Sequence, residues 1–309
     1  MSTINRTQIL RGPGSVKLGS LAIFDATGIT AEVEQATEVI PSSISGILDT
    51  IKTDQIGKIS FTPCGHLSAD LIAALFPYQT PVIGASIFGS DDVPCDIHSL
   101  AGTKVTFVNT AVTKLPEIYL SPVKTAFGGV ELTALLGKNK EPGDADAFYK
   151  VAAATYSAGN PSPDGIVGVH YNATYGSITI NDTSDGWTVV PTIELAAVQT
   201  DKLGTIDYTL SGVTVTASCK PYGLTESQIL SALNISGARG SSMRGASDLV
   251  ITGTGGLTVT LKNASLTSAP LEWGTAADRV GKLQFTAHRS FSNNVAGALY
   301  TVALASNEN

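Results

Sequence analysis

The sequence predicts a mainly β protein made of two tandem β-sandwich or β-barrel domains, each flanked by one short α-helix. Three observations lead to this prediction: a composition rich in Gly, Ser, Thr, Ala and Val, an internal repeat over most of the chain, and one short amphipathic helix pattern per copy. Small and β-branched residues favour turns and pleated strands. The 309 residues, 43% of them hydrophobic, suffice for two buried cores.

The internal repeat consists of four matched segments in the same order, at offsets that drift between 151 and 158 residues. They are 19–25 with 176–182, Pro63-Cys64-Gly65 with Pro221-Tyr222-Gly223, 105–109 with 259–263, and 147–152 with 298–303. Insertions and deletions in loops produce such a drift. We therefore predict a duplicated domain of about 150 residues, which is an ordinary domain size.

The predicted domain boundaries follow from the repeat and from a stretch rich in Pro, Gly and Ser. The first domain spans 1–156, the linker 157–165 and the second domain 166–309. A fifth match, of 53–57 with 200–204, has an offset of 147 residues. Either the second copy carries extra residues after this segment, or the match is accidental.

The first elements of each copy are expected to be an irregular arm and a β-hairpin. The arm is predicted over 1–18, where glycine and proline interrupt any regular pattern. Alternation of apolar and polar residues predicts that 19–25 pairs with 29–35, and 176–182 with 187–194, across turns ending at Gly28 and Gly186. Residues 41–57 are interpreted as an extended loop or a long, irregular hairpin.

One short helix is predicted in each copy. In 68–76, Ser68 is a suitable N-cap and Leu71, Ile72, Leu75 and Phe76 share one face. The counterpart is 225–233, where Thr225 and Gln228 have the spacing of a capping box.

The remaining strands are predicted from alternation bounded by turn residues. They are 58–62, 103–109, 116–121 and 128–136 in the first copy, 205–208 and 213–219 (separated by a turn at Ser211-Gly212), 248–252, 256–262, 269–273 and 280–287 in the second, and the closing segments 146–155 and 296–305.

Charge and composition argue against several classes of protein. The net charge is −7 without a cluster of Lys and Arg, which disfavours tight binding to nucleic acid through its phosphates. The charged fraction of only 15% leaves a neutral surface, which favours burial in an assembly, although an ordinary Thr/Ser-rich β protein fits as well. We expect no membrane span and no signal peptide, and three cysteines suggest synthesis in a reducing cytosol.

Candidate catalytic and metal-binding residues are few. The four histidines, His66, His98, His170 and His288, have no counterparts in the other copy, and Cys64 with His66 or Cys95 with His98 lacks the paired spacing of a zinc site. The acidic pairs Asp91-Asp92 and Asp144 with Asp146 lack the spacing of a calcium loop. Residues 253–256 lack the Lys of a phosphate loop and are interpreted as a hairpin turn. We expect no enzyme, and no catalytic, cofactor-binding or metal-binding residue.

Four aromatic residues lie on predicted strands: Tyr119, Phe127, Trp187 and Trp273. Packing in the core is the first expectation for all four. An exposed platform that stacks on carbohydrate is the alternative.

The layout resembles the tail tube proteins, or major tail proteins, of tailed bacteriophages. The resemblance covers most of both copies and rests on the early hairpin, the long loop 41–57, the helix 68–76, and the closing strands at 128–134 and 280–287. It implies rings, usually with six domains, that stack into a hollow tube. Two fused copies would give trimers with pseudo-six-fold symmetry.

The resemblance also implies the surroundings of the protein. The chain would be made in the host cytoplasm and reside in the virion tail, with itself, tape measure, tail terminator and baseplate proteins as partners and with no membrane contact. DNA would pass through the acidic lumen without specific binding. The loops 41–57 and 191–204 are candidates for contacts between stacked rings, and 1–18 and 157–165 for bridges between neighbours.

Two other classes of function stay open. One is another virion ring component, a tail terminator or a baseplate protein, which forms rings but no tube. The other is a β-sandwich module that binds glycans, such as an adhesin, which would be a monomer with exposed aromatic side chains.

Overall fold

The computed structural model describes residues 14–23, 27–44, 46–63, 68–99, 102–121, 125–154, 170–233, 238–244, 247–271, 280–289, 291–292 and 295–304. In this part of the chain the protein is mainly β, with 21 strands and two short helices, so the predicted mainly β class is confirmed. Below, "first half" denotes 14–154 and "second half" 170–304. The predicted linker 157–165 lies outside the described residues.

The first half contains eleven strands and one helix among its described residues. They are β1 (Gly14–Leu18), β2 (Leu21–Ile23), β3 (Thr27–Ser42), β4 (Gly46–Thr62), α1 (Ala69–Leu75), β5 (Cys95–Ser99), β6 (Thr103–Phe107), β7 (Asn109–Lys114), β8 (Ile118–Leu120), β9 (Thr125–Phe127), β10 (Val130–Leu135) and β11 (Tyr149–Ala153).

The second half contains ten strands and one helix among its described residues. They are β12 (Tyr171–Tyr175), β13 (Ile178–Ile180), β14 (Thr183–Thr200), β15 (Gly204–Pro221), α2 (Glu226–Ala232), β16 (Ser247–Gly253), β17 (Leu257–Ser268), β18 (Leu283–Thr286), β19 (Phe291–Ser292), β20 (Val295–Ala296) and β21 (Tyr300–Leu304).

The two halves share the strand pairings of their main sheets, whereas the hairpins β8–β9 and β19–β20 are not repeated. The first half has one sheet in the order β2-β1-β5-β6-β11 and another in the order β3-β4-β10-β7. In the second half the corresponding strand orders are β13-β12-β16-β17-β21 and β14-β15-β18-β17. The long strand β17 belongs to both and corresponds to β6 in the first order and to β7 in the second. The repeat in the sequence is thus a repeat of strand topology.

The register of these pairings is repeated as well. Val105 pairs with Ile97 on one side and Val151 on the other. Val259, the repeat counterpart of Val105, pairs with Ile251 and Val302. Most of the buried hydrophobic residues of both halves form one continuous cluster, so the division into two separate domains stays a prediction.

The expected early hairpins are wrong in their pairing. β2 pairs with β1 and β13 with β12, whereas β3 and β14 each run into a long hairpin with β4 and β15. Gly28 and Gly186 both have positive φ and lie at a register shift near the start of that hairpin. These glycines therefore form bulges within a strand rather than turns between strands.

The long hairpins also show whether the fifth repeat match, of 53–57 with 200–204, is genuine. Gly46 and Gly204 both have positive φ and both begin the returning strand of the hairpin. Aligning these two glycines gives the offset found at Pro63 and Pro221, so the match of 53–57 with 200–204 is accidental. Residues 41–57 form the tip and most of the returning strand of an irregular hairpin of β3 and β4, which agrees with one of the two interpretations, and the pairing has register shifts on β3.

Several predicted strand limits need correction. Gly14–Leu18 is a strand and not part of an irregular arm, and β15 runs unbroken through Ser211-Gly212, where the pairing register shifts. Residues 103–109 divide between β6 and β7. The described part of 269–273 makes only an isolated bridge, from Leu271 to Val280. Alternation alone does not distinguish a bulge from a turn.

Both predicted helices are confirmed. The Ser68 hydroxyl accepts a hydrogen bond from the Leu71 N–H at 3.1 Å, and the apolar face of α1 is buried. At α2, the Thr225 N–H donates to the Gln228 Oε1 at 2.9 Å, which completes a capping box.

Candidate assembly surfaces

The two halves are joined by a strand pairing that the sequence did not predict. Strand β8 of the first half pairs with the start of β14 in the second, with Leu120 opposite Trp187 and Ile118 opposite Val189. All four side chains are buried. The β8–β9 hairpin thereby extends a sheet of the second half and covers one of its edges.

A second connection lies on the other edge of the long second-half hairpin. The Gly84 N–H donates to the Leu210 carbonyl at 2.8 Å, and the Leu210 N–H donates to the Ala85 carbonyl at 3.0 Å. Ser86 thus stands opposite Thr209 in an antiparallel bridge. We call residues 84–87 the joining segment.

The joining segment is held by side chains as well as by backbone. The Ser86 hydroxyl donates to Asp207 Oδ1 at 2.9 Å, and the rings of Phe88 and Tyr208 are stacked at a centroid distance of 6.4 Å. Burial raises the pKa of the Tyr208 hydroxyl.

A third connection covers β21. The Phe76 ring meets the Tyr300 ring edge-on at 6.4 Å. The Leu299 N–H donates to the Gln79 carbonyl at 2.9 Å, and the Val302 N–H donates to the Gln79 side-chain oxygen at 2.8 Å. The first half therefore closes over the last strand of the second half.

The turn of the second-half hairpin also rests on the first half. Asp54 accepts hydrogen bonds from the Thr205 hydroxyl at 2.6 Å and from the Thr205 N–H at 3.1 Å. Gly204 lies so close to the Asp54 carboxylate that a side chain there would collide with it. The ion pair of Lys202 with Glu141, 2.7 Å long, borders a cleft of about 300 Å³ at this contact.

The long hairpin of the first half is exposed. Its outer part carries a series of exposed apolar side chains: Val33, Val39, Ile40, Ile44, Ile47, Leu48 and Ile51. A group of apolar side chains of this size is typical of a surface that another molecule covers. The hairpin includes the segment 41–57 that was expected to contact neighbouring rings.

The described candidate metal-binding residues do not form a common site. Cys95 is buried in β5, and burial raises the pKa of its thiol to about 12. His98 lies on the same strand, with its Nε2 3.9 Å from Asp96 Oδ2. Cys64 and His66 lie outside the described residues. Among the described residues, no three His, Cys, Asp or Glu side chains are grouped as a metal site requires.

The acidic pairs and the glycine-rich run have structural contacts. Asp92 accepts a hydrogen bond from the Lys138 N–H, and Asp144 one from the Glu141 N–H. Residues 253–256 connect the antiparallel strands β16 and β17, which confirms their interpretation as a hairpin turn.

The aromatic residues divide between core and surface. Trp187 and Phe127 are buried, which confirms the expectation of core packing for these two. The expectation of core packing is wrong for Tyr119, which is exposed and whose hydroxyl donates to Glu117. Trp273 lies outside the described residues.

Sequence reasoning missed the joining segment, although a signal was present. Gly84-Ala85-Ser86-Ile87 matches Gly240-Ser241-Ser242-Met243 in the second half. Gly84 and Gly240 also share a positive φ, of 85° and 88°. A search for the repeat in the segment after each helix would have found this pair.

In comparisons with known proteins, the chain matches no protein-family model and no curated protein. Neither helix in the described part of the chain is long and apolar enough to cross a membrane.

Proposed function

We propose that this chain is a structural virion protein that assembles into trimeric rings with pseudo-six-fold symmetry, which stack into the hollow tail tube of a bacteriophage. The observation that carries the proposal is the head-to-tail junction between two halves of the same topology. The first half contributes the joining segment and β8, and the second contributes the edges of β14 and β15. The two contributions are different surfaces.

A head-to-tail junction between similar units has a specific consequence. Because each half has a segment of the joining type and a long hairpin, one unit can bind the next, and the series either closes into a ring or continues as a filament. Sheet edges that meet around a closed ring leave no edge for uncontrolled pairing. Three chains of two units each would close a ring of six.

The exposed apolar hairpin of the first half supports stacking of such rings. Its strands are 16 and 17 residues long, and its outer part carries the apolar side chains described above. A hairpin of this length can reach beyond its own ring. Contact with the adjacent ring would remove these side chains from water.

The charge of the protein is compatible with passage of DNA. With a net charge of −7, the wall of a tube would repel the phosphates rather than retain them. This argument concerns the protein as a whole and assigns no residue to the lumen.

The test is light scattering and negative-stain electron microscopy of the purified, concentrated protein. We expect particles with three times the 31.9-kDa chain mass, and hollow tubes with a six-lobed ring outline. Rings that never stack would support a tail terminator or baseplate protein instead. A protein that stays monomeric at all concentrations would overturn ring assembly and favour the glycan-binding module.

A further inference from the structure

Two strands that are equivalent in the repeat differ in burial. β11 and β21 occupy the same edge of the repeated sheet, and Tyr149 and Val151 correspond there to Tyr300 and Val302. Val302 is 5% exposed because the first half covers it, whereas Val151 is 61% exposed. The first half thus presents an apolar surface whose counterpart is covered in the second half.

The joining segment also has an exposed counterpart. Residues 240–243 share the sequence pattern and the glycine conformation of 84–87. All four are exposed, and in the described part of the chain they form no bridge with another strand. The second half therefore carries a joining segment without a strand to join.

The missing strand edge is present on the first half. Since Gly46 corresponds to Gly204, residues 50–52 of β4 correspond to 208–210 of β15. In the described part of the chain, 50–52 pair with β3 on one side and leave the other side open. Their side chains are exposed, whereas Leu210 is buried beneath the first half.

The aspartate that accepts a hydrogen bond from the joining segment also has a counterpart in the first half. Asp207 accepts from the Tyr208 N–H at 2.7 Å while it also accepts from Ser86. Its counterpart Asp49 accepts from the Thr50 N–H at 2.7 Å, and its side chain is exposed. Ser242 is the residue that corresponds to Ser86.

We propose that the second half of one chain binds the first half of a second copy of the same chain, through 240–243 paired antiparallel with 50–52 of β4. In this junction Ser242 stands opposite Ile51, its hydroxyl donates to Asp49, and the contact covers Tyr149 and Val151. The partner is another copy of this chain because the protein already binds these two kinds of surface to each other internally. The inference rests on the proposed ring assembly and names its interface.

The register can be tested with disulfides. In the internal junction the Ile87 N–H donates to the Tyr208 carbonyl and the Leu210 N–H to the Ala85 carbonyl, so Ser86 and Thr209 form a non-hydrogen-bonded pair. The Cα atoms of such pairs are about 4.5 Å apart, within the range that disulfides span. The matched control is therefore Ser86→Cys with Thr209→Cys, which should close within one chain.

The test variant combines Ile51→Cys with Ser242→Cys. We expect mild oxidation to link it into covalent dimers and closed trimers on non-reducing gels, while Ile51→Cys and Ser242→Cys alone give no such ladder. Displacing the pair by one position, with Lys52→Cys and Ser242→Cys, should reduce the cross-linked fraction at least tenfold.

The possible outcomes distinguish the proposed interface from the proposed tube function. Rings and tubes without the cross-link, while the internal control closes, would overturn the interface and leave the proposed function. Cross-linked trimers that never form tubes would support the interface and overturn the tube. Absence of both assembly and cross-links, with the internal control closed, would overturn both.

Discussion

Tyr149 and Tyr300 occupy the same position in the repeated sheet, yet Tyr149 is 46% exposed and Tyr300 is fully buried. The difference arises because Phe76 and Gln79 of the first half cover Tyr300. In the described chain Tyr149 has ring contacts with Phe107 and Phe148 on its own half. Such pairs of equivalent residues allow matched mutations. The mutation of the buried residue tests the stability of the fold, and the mutation of the exposed residue tests assembly.

The first matched pair is Val151→Asp and Val302→Asp. Val302→Asp places a charge in the core and should lower the free energy of unfolding by roughly 3–5 kcal/mol, as uncompensated buried charges do. Val151→Asp should change it by less than about 0.5 kcal/mol but prevent assembly. Urea unfolding and light scattering measure the two effects. Normal assembly of Val151→Asp would contradict this expectation.

Stacking should depend on the exposed hairpin. The double variant Ile47→Ser with Leu48→Ser removes two of its apolar side chains and should leave single rings with few or no tubes. The folded chain should keep its unfolding midpoint, because both side chains are exposed. Val93→Ser, an exposed apolar residue outside the hairpin, is the control for electron microscopy. Tubes of normal length in the double variant would rule out this role.

Phe76 should be essential for the union of the two halves. Its ring lies 5.7 Å from Phe127 and 6.4 Å from Tyr300, so Phe76→Ala should cost about 3–5 kcal/mol of unfolding free energy. Leu233 ends α2 as Phe76 ends α1 and is only partly buried. Leu233→Ala should cost less than half as much in the same urea titration. Equal losses of unfolding free energy in the two variants would contradict the role of Phe76 in joining the two halves.

Asp96 should make stability depend on pH. Burial by itself raises the pKa of Asp96, but hydrogen bonds from Thr106 and Lys104 outweigh burial, and the net pKa is lowered. The stabilisation is therefore present above the unfolded pKa of about 3.9 and is lost as the pH falls through the folded pKa.

The corresponding variant is Asp96→Asn. It should be less stable than the parent protein at pH 7, and the difference should shrink as the pH falls below about 4. Urea midpoints at pH 7, 4 and 3 measure it, with the exposed Asp91→Asn as control. A difference that grows toward low pH would refute the assigned cause.

The thiols of Cys95 and Cys219 should be inert in the folded protein. Burial raises the pKa of both, to about 12 for Cys95, so almost no thiolate is present at pH 8. Iodoacetamide should label both residues in urea but not under native conditions, as peptide mapping would show. Native labelling of Cys95 at pH 8 would indicate that β5 opens.

The sequence correctly predicted the features that depend on residues close together in the chain. The N-cap Ser68, the capping box of Thr225 and Gln228, and the turn at 253–256 depend on residues a few positions apart. The predicted pairing of 19–25 with 29–35 was wrong because alternation marks a strand without naming its partner. β1 is the partner of β2, and no local feature of the sequence indicates this pairing.

The sequence by itself determined the mainly β class and the internal repeat, since composition and repeated patterns are properties of the chain. It did not determine which of two equivalent surfaces is buried, because Tyr149 and Tyr300 stand in closely similar local sequences. Only the tertiary structure decided that, by placing Phe76 and Gln79 of the first half over Tyr300. Burial depends on contacts between residues far apart in the chain, and for that reason the assembly surfaces emerged only from the fold.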